Sequence, residues 1–384
     1  MLTKIRIRNI NAIDYCEIDF QKSKYKYLDD MLYQEKLVNP IAFYGSNGSG
    51  KSSFLEAISY LITLMIGDTQ KFSAFVSNNL NIKKHITQVS EKYNKLSEEI
   101  LSKSIEEVVS YIEMFFEISG DEYVYLIETS LLGCITRENL SVNQIKIFDR
   151  EKNAYFYNNN KIEIAESLYP TIRRLFIDRP NDVNISTAFN FLSNMGYIDA
   201  AKRTCIFKNT VEKDYRDLIV EKSSVVKDVL TEYKEFPLYN VISQITKEGK
   251  KEYFVQLDIG NDILLMPYVY MSDGMVNQSM LLSVLLSMPE NAVLFIDEIE
   301  DTLHPTTIID FIRVAQQKKI QLIFSSHNTY LLQKLRPDQI IFANWKGGYS
   351  TYKKLSDIYP NIREINNIEK MYFSNMFEEG IKNG

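Results

Sequence analysis

The sequence predicts an α/β fold, a parallel sheet flanked by an antiparallel sheet and by a helical insertion. Residues 40–44 form a short apolar run that passes through a glycine-rich loop into residues 53–62, whose apolar positions recur at helical spacing. From residue 270 onward helical segments (276–288, 306–317, 330–335) alternate with short apolar runs (292–296, 321–325, 339–343), the pattern of parallel strands joined by crossovers. Between these regions, residues 111–164 read as strands separated by brief turns, as a meandering antiparallel sheet does.

Taken in order, residues 2–10 and 12–20 alternate apolar and polar side chains and predict two strands turning at Asn9-Ile10-Asn11. A polar stretch, 21–39, leads to the strand before the glycine loop. After the first helix, residues 67–81 read as a loop and 82–110 as one or two charged helices. Residues 112–118 and 123–129 predict a hairpin around 119–122, with further strands at 144–148, 154–157 and 161–164. Helical patterning returns over 166–235, best at 184–197 and 214–233. Strands at 241–245 and 252–257 then flank Gly249, which supplies the positive φ a tight turn needs. The expected organisation is an N-terminal lobe over 1–165, a helical insertion or lid over 166–238, a C-terminal lobe over 239–360, and a tail over 361–384 that either docks or frays.

Composition bounds the function. With 384 residues, 45% hydrophobic and 24% charged, the chain is long enough to bury a large core. Its 44 basic and 50 acidic residues give net −6, which argues against a general nucleic-acid coat. The pairs Lys83-Lys84 and Lys250-Lys251 read as solvated surface. Cys16, Cys134 and Cys205 are isolated, with no C-x-x-C spacing, which excludes a disulfide scaffold or zinc ribbon and points to a reducing compartment. The first ten residues alternate like a strand rather than a signal peptide, and no apolar run approaches the roughly 18 residues a membrane helix needs. A soluble cytoplasmic protein without a membrane partner is expected.

The chemistry centres on Gly45-Ser46-Asn47-Gly48-Ser49-Gly50-Lys51-Ser52, followed by Ser53. This is a complete G-x-x-x-x-G-K-[ST] pattern in a strand–loop–helix setting. Such glycines let successive N–H groups turn toward phosphate oxygens, and the helix adds its positive end. Lys51 then neutralises the β- and γ-phosphates of ATP while the Ser52 hydroxyl ligates Mg²⁺. The apolar run 292–296 ends in Asp297-Glu298. At the carboxyl end of a parallel strand, Asp297 is placed to hold the Mg²⁺ shell and Glu298 to act as general base toward water. The run 321–325 leads to His327, a candidate to contact the γ-phosphate or to hold the water. Ser272-Asp273-Gly274 precedes a helix that Ser272 caps.

This ordered set of motifs resembles the ABC-type ATPases of the SMC and RecF group. The resemblance implies a P-loop NTPase head in which Ser272, Asp273 and Gly274 of one subunit complete the nucleotide site of another, making nucleotide the bond of a homodimer. The run Asp297-Glu298-Ile299-Glu300-Asp301-Thr302-Leu303-His304-Pro305 resembles more specifically the overcoming-lysogenization-defect (OLD) branch, as do Ile5-Arg6-Ile7-Arg8-Asn9-Ile10 and Leu335-Arg336-Pro337-Asp338-Gln339-Ile340 with Leu355-Ser356-Asp357. That branch carries a Toprim nuclease for which residues 345–384 are too short. The resemblance therefore implies the sensor or regulator half of a prokaryotic anti-phage defence system, acting on a separately encoded effector, a nuclease or toxin. The alternatives it implies are a RecF- or SMC-like repair or maintenance ATPase that clamps DNA, and an ATP-gated scaffold with vestigial hydrolysis. Gln70 and Gln144 are both candidates for the Q-loop glutamine of this group.

Overall fold

The computed structural model describes residues 1–25, 28, 32–33, 36–67, 109–130, 134–164, 169–208, 214–232, 239–259, 262–346, 348–362 and 367–374. The chain opens with the hairpin β1 (Leu2–Ile10) and β2 (Ile13–Asp19). A register shift between Leu2 and Lys4 lets Leu2 and Ile5 both face inward despite their odd spacing. The short pair β3 (Leu32–Tyr33) and β4 (Leu37–Val38) precedes β5 (Ile41–Tyr44), from which the glycine loop runs into α1 (Lys51–Ile66). Then come β6 (Val109–Ile118), β7 (Asp121–Ser130), β8 (Ile135–Val142), β9 (Ile145–Glu151), β10 (Ala154–Tyr157) and β11 (Asn160–Glu163). Among the described residues these form an antiparallel sheet of order β11-β10-β9-β8-β7-β6-β1-β2.

The second half begins with α2 (Thr171–Asp178), α3 (Val183–Ser193), β12 (Gly196–Asp199), β13 (Thr204–Ile206) and α4 (Tyr215–Glu232). A three-stranded sheet, β14 (Tyr239–Ile245), β15 (Lys251–Ile259) and β16 (Asp262–Pro267), leads to α5 (Asp273–Ser287), β17 (Val293–Asp297), α6 (Pro305–Gln317) and β18 (Gln321–Ser325). After 3₁₀ turns come β19 (Ile340–Lys346), β20 (Tyr349–Lys354), α7 (Leu355–Ile358) and α8 (Ile368–Phe373). The central sheet has order β13-β12-β17-β18-β5-β19-β20, parallel from β12 to β19 with antiparallel edges.

Strand periodicity divides the core in two. Ile41, Phe43, Val293, Phe295 and Ile323 face α1, α2, α3 and the antiparallel sheet. Their alternating neighbours Ala42, Tyr44, Leu294, Ile296, Leu322 and Phe324 face α4, α5 and α6. β5, β17 and β18 are buried along their whole length, which is why they read as continuous apolar runs. Phe43 stacks on Phe54 of α1 at 4.6 Å between ring centroids and so fixes the helix behind the glycine loop.

Three expectations need correction. The stretch 166–238 is not wholly helical, because β12 joins the central sheet beside β17 and β13 pairs with β12. The spacing of Phe191, Leu192, Met195 and Ile198 continues the helical period of α3, so a four-residue buried strand was invisible to it. Gly196 belongs there because a Cβ would fall 3.2 Å from Leu294 and Met288. Of the helix expected over 82–110, Val109 and Ser110 start β6, and the rest lies outside the described residues, as does the loop expected at 67–81 apart from Gly67, which caps α1. β8 was not anticipated because Arg137, Glu138 and Asn139 break its apolar alternation. Glu138 is nevertheless fully buried, accepting from the Tyr125 hydroxyl (2.9 Å) and from the N–H groups of Thr171 and Ile172 at the start of α2.

The tail is docked over its described part. Glu369 accepts from Thr329 (2.9 Å) and Gln333 (2.8 Å), and Tyr372 packs on Tyr44 and Phe342.

Candidate active site

The glycine loop lies at the carboxyl end of β5, where parallel sheets present ligand sites. Gly45, Gly48 and Gly50 have φ of 149°, 76° and 101°, a backbone that side chains resist. At Gly45 a Cβ would also fall 2.3 Å from the Ala343 carbonyl oxygen, and at Gly50 it would strike Ser350. Ser46, Asn47 and Gly48 are exposed at the loop tip, Ser49 is buried with an unpartnered hydroxyl, and Ser52 and Ser53 are half-buried in the first turn of α1. Tyr352 of β20 donates to the Gly50 carbonyl (2.7 Å) and braces the loop from beneath.

Lys51 is 6% exposed and donates to the carbonyls of Gly45 (3.0 Å) and Ser46 (3.2 Å). Burial lowers its pKa, against the opposing charges of Asp297, Glu300 and Glu298. An ammonium desolvated on neutral carbonyls is better served by phosphate oxygens, so the residues fit an anionic ligand.

Across from it, β17 and β18 end side by side. Asp297 closes β17, 4% exposed, and one of its oxygens accepts from the Ser325 hydroxyl. The Ser325 oxygen accepts in turn from the Glu298 N–H (2.8 Å), and the Ser325 carbonyl accepts from the Ile299 N–H (3.2 Å). Glu300 takes the His327 N–H. These bonds hold Glu298 at φ 54°, a conformation that carries strain for a non-glycine residue. Burial raises the Glu298 pKa, and the charges of Asp297 and Glu300 raise it further. His327 lies two residues beyond the end of β18, exposed. Its imidazole pKa is lowered by desolvation first and by Lys51 second. Asp199, at the end of β12, is level with Asp297 and is held by the Lys202 N–H (2.8 Å) and ammonium (2.7 Å). Glu56 of α1 is drawn into the same group, its pKa raised by burial and then lowered in part by Lys202.

Lys51, Asp297, Glu298 and His327 are thus brought together. Among the described residues no group of three or more His, Cys, Asp and Glu side chains is arranged to hold a metal by itself.

Ser272, Asp273 and Gly274 make contacts elsewhere. Ser272 caps α5 through the Met275 N–H (3.3 Å), and Asp273 pairs with Arg203. Gly274 faces the Thr302 carbonyl, to which a Cβ would approach within 2.9 Å. Gln144 lies in the turn between β8 and β9, away from the loop, and Gln70 is outside the described residues.

A family described as "AAA domain, putative AbiEii toxin, Type IV TA system" matches residues 41–333. The chain belongs to this AAA family. No curated protein matches it. Solved structures similar to this AAA domain include an SMC head bound to the C-winged helix domain of ScpA, at 13% identity and TM-score 0.48, covering 93% of this chain and 99% of that one. The SMC head domain from Thermotoga maritima has 14% identity and TM-score 0.43, covering 92% and 98%. An SMC head with an extended coiled coil, bound to a ScpA C-terminal domain derived from Pyrococcus furiosus, has 13% identity and TM-score 0.40, covering 93% and 97%.

The sequence motifs located the phosphate loop, Asp297, Glu298 and His327 of the AAA domain but gave no role to Ser325, Glu300, Asp199, Lys202 or Tyr352. Ser325 and Glu300 stood inside the quoted motifs as small or charged letters. Asp199 was hidden by the misread strand β12. The His304-Pro305 pair begins α6, with Pro305 in its first turn and the His304 ring accepting from the Thr306 N–H. Arg336, Asp338 and Gln339 form a buried clip: Arg336 bonds Asp338 (3.0 Å) and the Tyr25 carbonyl (3.0 Å), and Gln339 bonds the Pro40 carbonyl (2.8 Å) ahead of β5. Among the described residues no helix is long and apolar enough to cross a membrane.

Proposed function

We propose that this AAA domain is a Mg²⁺-dependent ATPase of the OLD-like kind that closes into a homodimer around ATP and regulates a separately encoded effector in prokaryotic anti-phage defence. The observation that carries the ATPase part is the lacing of Asp297 and Glu298 to the end of β18, opposite a buried Lys51. In this reading Lys51 turns its ammonium from the Gly45 and Ser46 carbonyls to the phosphates, which the loop amides also hold. Ser52 and Asp297 hold the cation, and bound Mg²⁺ supplies charge neutralisation at the phosphates. Glu298 takes a proton from the attacking water, a role its raised pKa favours, and His327 orients that water or the γ-phosphate. Ser272, Asp273 and Gly274 serve the site of the second copy, consistent with Ser272 and Asp273 standing exposed at the start of α5.

The defence role draws on the toxin–antitoxin description of the family. A DNA clamp is less favoured on the outer face of the antiparallel sheet, where Arg6 is already paired with Glu17 (2.5 Å) and Glu113 (2.9 Å) and Lys4 with Glu17 (3.4 Å). ATP titration by calorimetry and phosphate release test the enzyme. Lys51→Ala is expected to abolish binding, and Glu298→Gln to keep it while slowing hydrolysis by about 10² to 10⁴. Undiminished ATP affinity in Lys51→Ala overturns the site. For the biological role, phage plaque counts on cells carrying the chain with its neighbouring gene should rise when Lys51→Ala is introduced.

A further inference from the structure

We propose that Glu300 is a positioning residue of this site, one oxygen fixing the His327 turn and the other accepting from a water in the Mg²⁺ shell. The inference rests on the ATPase reading above. Glu300 sits in the turn after β17, and one carboxylate oxygen accepts the backbone N–H of His327, so it ties the Asp297 turn to the His327 turn. Its other oxygen, Oε2, is shielded from solvent and has no hydrogen-bond partner. A carboxylate oxygen left unpaired out of water is costly, and such groups normally find a donor or a cation.

The surroundings indicate which. Asp297 and Glu300 both act on Glu298, and all three carboxylates act on Lys51, which is bound to loop carbonyls, while Lys202 interacts with Asp297, Asp199 and Glu56. The site therefore carries more negative than positive charge, and a divalent ion restores the balance. Mg²⁺ dehydrates reluctantly and keeps several waters, so carboxylates around it act largely by accepting from those waters. Glu300 is three residues past Asp297 and bonded to the strand end that also holds Asp297, which places it to do so.

Two variants separate the two oxygens. Glu300→Gln keeps an acceptor for the His327 N–H but replaces the second oxygen with a donor, whereas Glu300→Ala removes both. ATP binding is measured by calorimetry across a Mg²⁺ titration, with phosphate release in parallel. For Glu300→Gln the Mg²⁺ concentration giving half-maximal ATP affinity is expected to rise about 10- to 100-fold, with turnover at saturating Mg²⁺ falling less than in Glu300→Ala. For Glu300→Ala the same rise is expected together with a further loss of turnover at saturation. An unchanged Mg²⁺ requirement in Glu300→Gln overturns the inference. Wild-type protein that does not bind ATP, or that releases no phosphate with Mg²⁺ present, sinks the ATPase reading itself, a result distinct from the first.

Discussion

At the scale of single residues, Ser325 illustrates how the site is held. Its hydroxyl donates to Asp297 and accepts from the Glu298 N–H, so one small side chain orients the two adjacent carboxylates. Ser325→Ala leaves a buried carboxylate oxygen and a buried N–H without partners, at a cost of about 1–3 kcal/mol of stability. Turnover should fall about 10- to 100-fold while ATP affinity changes little, because the phosphate loop is untouched. Denaturant midpoints and steady-state kinetics read the two effects separately, and wild-type kinetics would remove Ser325 from the site. Cys16 gives a second residue-scale expectation. It is 4% exposed, and burial pushes its thiol pKa up to about 12. The folded chain therefore favours the neutral thiol. As pH rises from the ordinary thiol value toward about 12, the unfolded chain ionises first and this contribution to stability is lost. Alkylation of Cys16 at pH 8 should proceed only on unfolding; ready labelling of native protein would contradict it. The sequence announced Asp297, Glu298 and Lys51 because those residue types stand in known order. It could not announce Ser325, whose importance comes from a strand pairing 28 residues away in the chain.

At the scale of elements, the link between α2 and the antiparallel sheet is a buried charge network. Glu138 of β8 accepts from Tyr125 and from two N–H groups at the start of α2, with Arg150 of β9 at 3.8 Å. Burial is the largest influence on Glu138 and raises its pKa, so the network is held by its bonds against desolvation. Glu138→Ala removes the carboxylate facing Arg150, which keeps its bonds to the Lys152 and Tyr169 carbonyls, and takes the acceptor from the Thr171 and Ile172 N–H groups, so about 3–5 kcal/mol should be lost in urea unfolding. A loss under 1 kcal/mol would mean that the network relaxes by admitting water. The phosphate loop offers the complementary case. Tyr352→Phe removes the brace on the Gly50 carbonyl without disturbing the ring contacts with Phe43 and Phe54, and about 1 kcal/mol, or a fivefold weakening of ATP binding, is expected in calorimetry. Element by element, the periodic segment α6 was legible, and so was the continuous apolar run of β18. β12 was not, because four buried residues following a helix carry no period of their own.

At the scale of the molecule, the alternation after residue 270 and the strand–loop–helix at residue 45 were enough to foresee a parallel sheet with the glycine loop at its carboxyl edge. What they left unresolved was how 166–238 divides. Its first half packs in the core shared with α1 and the antiparallel sheet, and α4 in the opposite core with α5. The turn at Ser272 is built onto that second core, with Asp273 paired to Arg203 and Gly274 close against the Thr302 carbonyl, and not bonded to the phosphate loop. If it acts on nucleotide it acts on that of another copy, and this can be tested by mixing two inactive proteins. Gly274 is the wrong position to change, since any side chain there would press on the Thr302 carbonyl and disturb the turn after Asp297. Ser272→Arg is preferable: it costs about 1 kcal/mol of capping, visible in a thermal melt, and fills the exposed tip. Lys51→Ala and Ser272→Arg should each be inactive alone. In a symmetric dimer with composite sites, half of randomly mixed pairs regain one intact site of two, so turnover should return to about a quarter of wild type. An active Ser272→Arg protein would show that each copy hydrolyses ATP without its neighbour's tip. A mixture as inactive as its parts, with both variants folded, would show that the two defects lie in one and the same site.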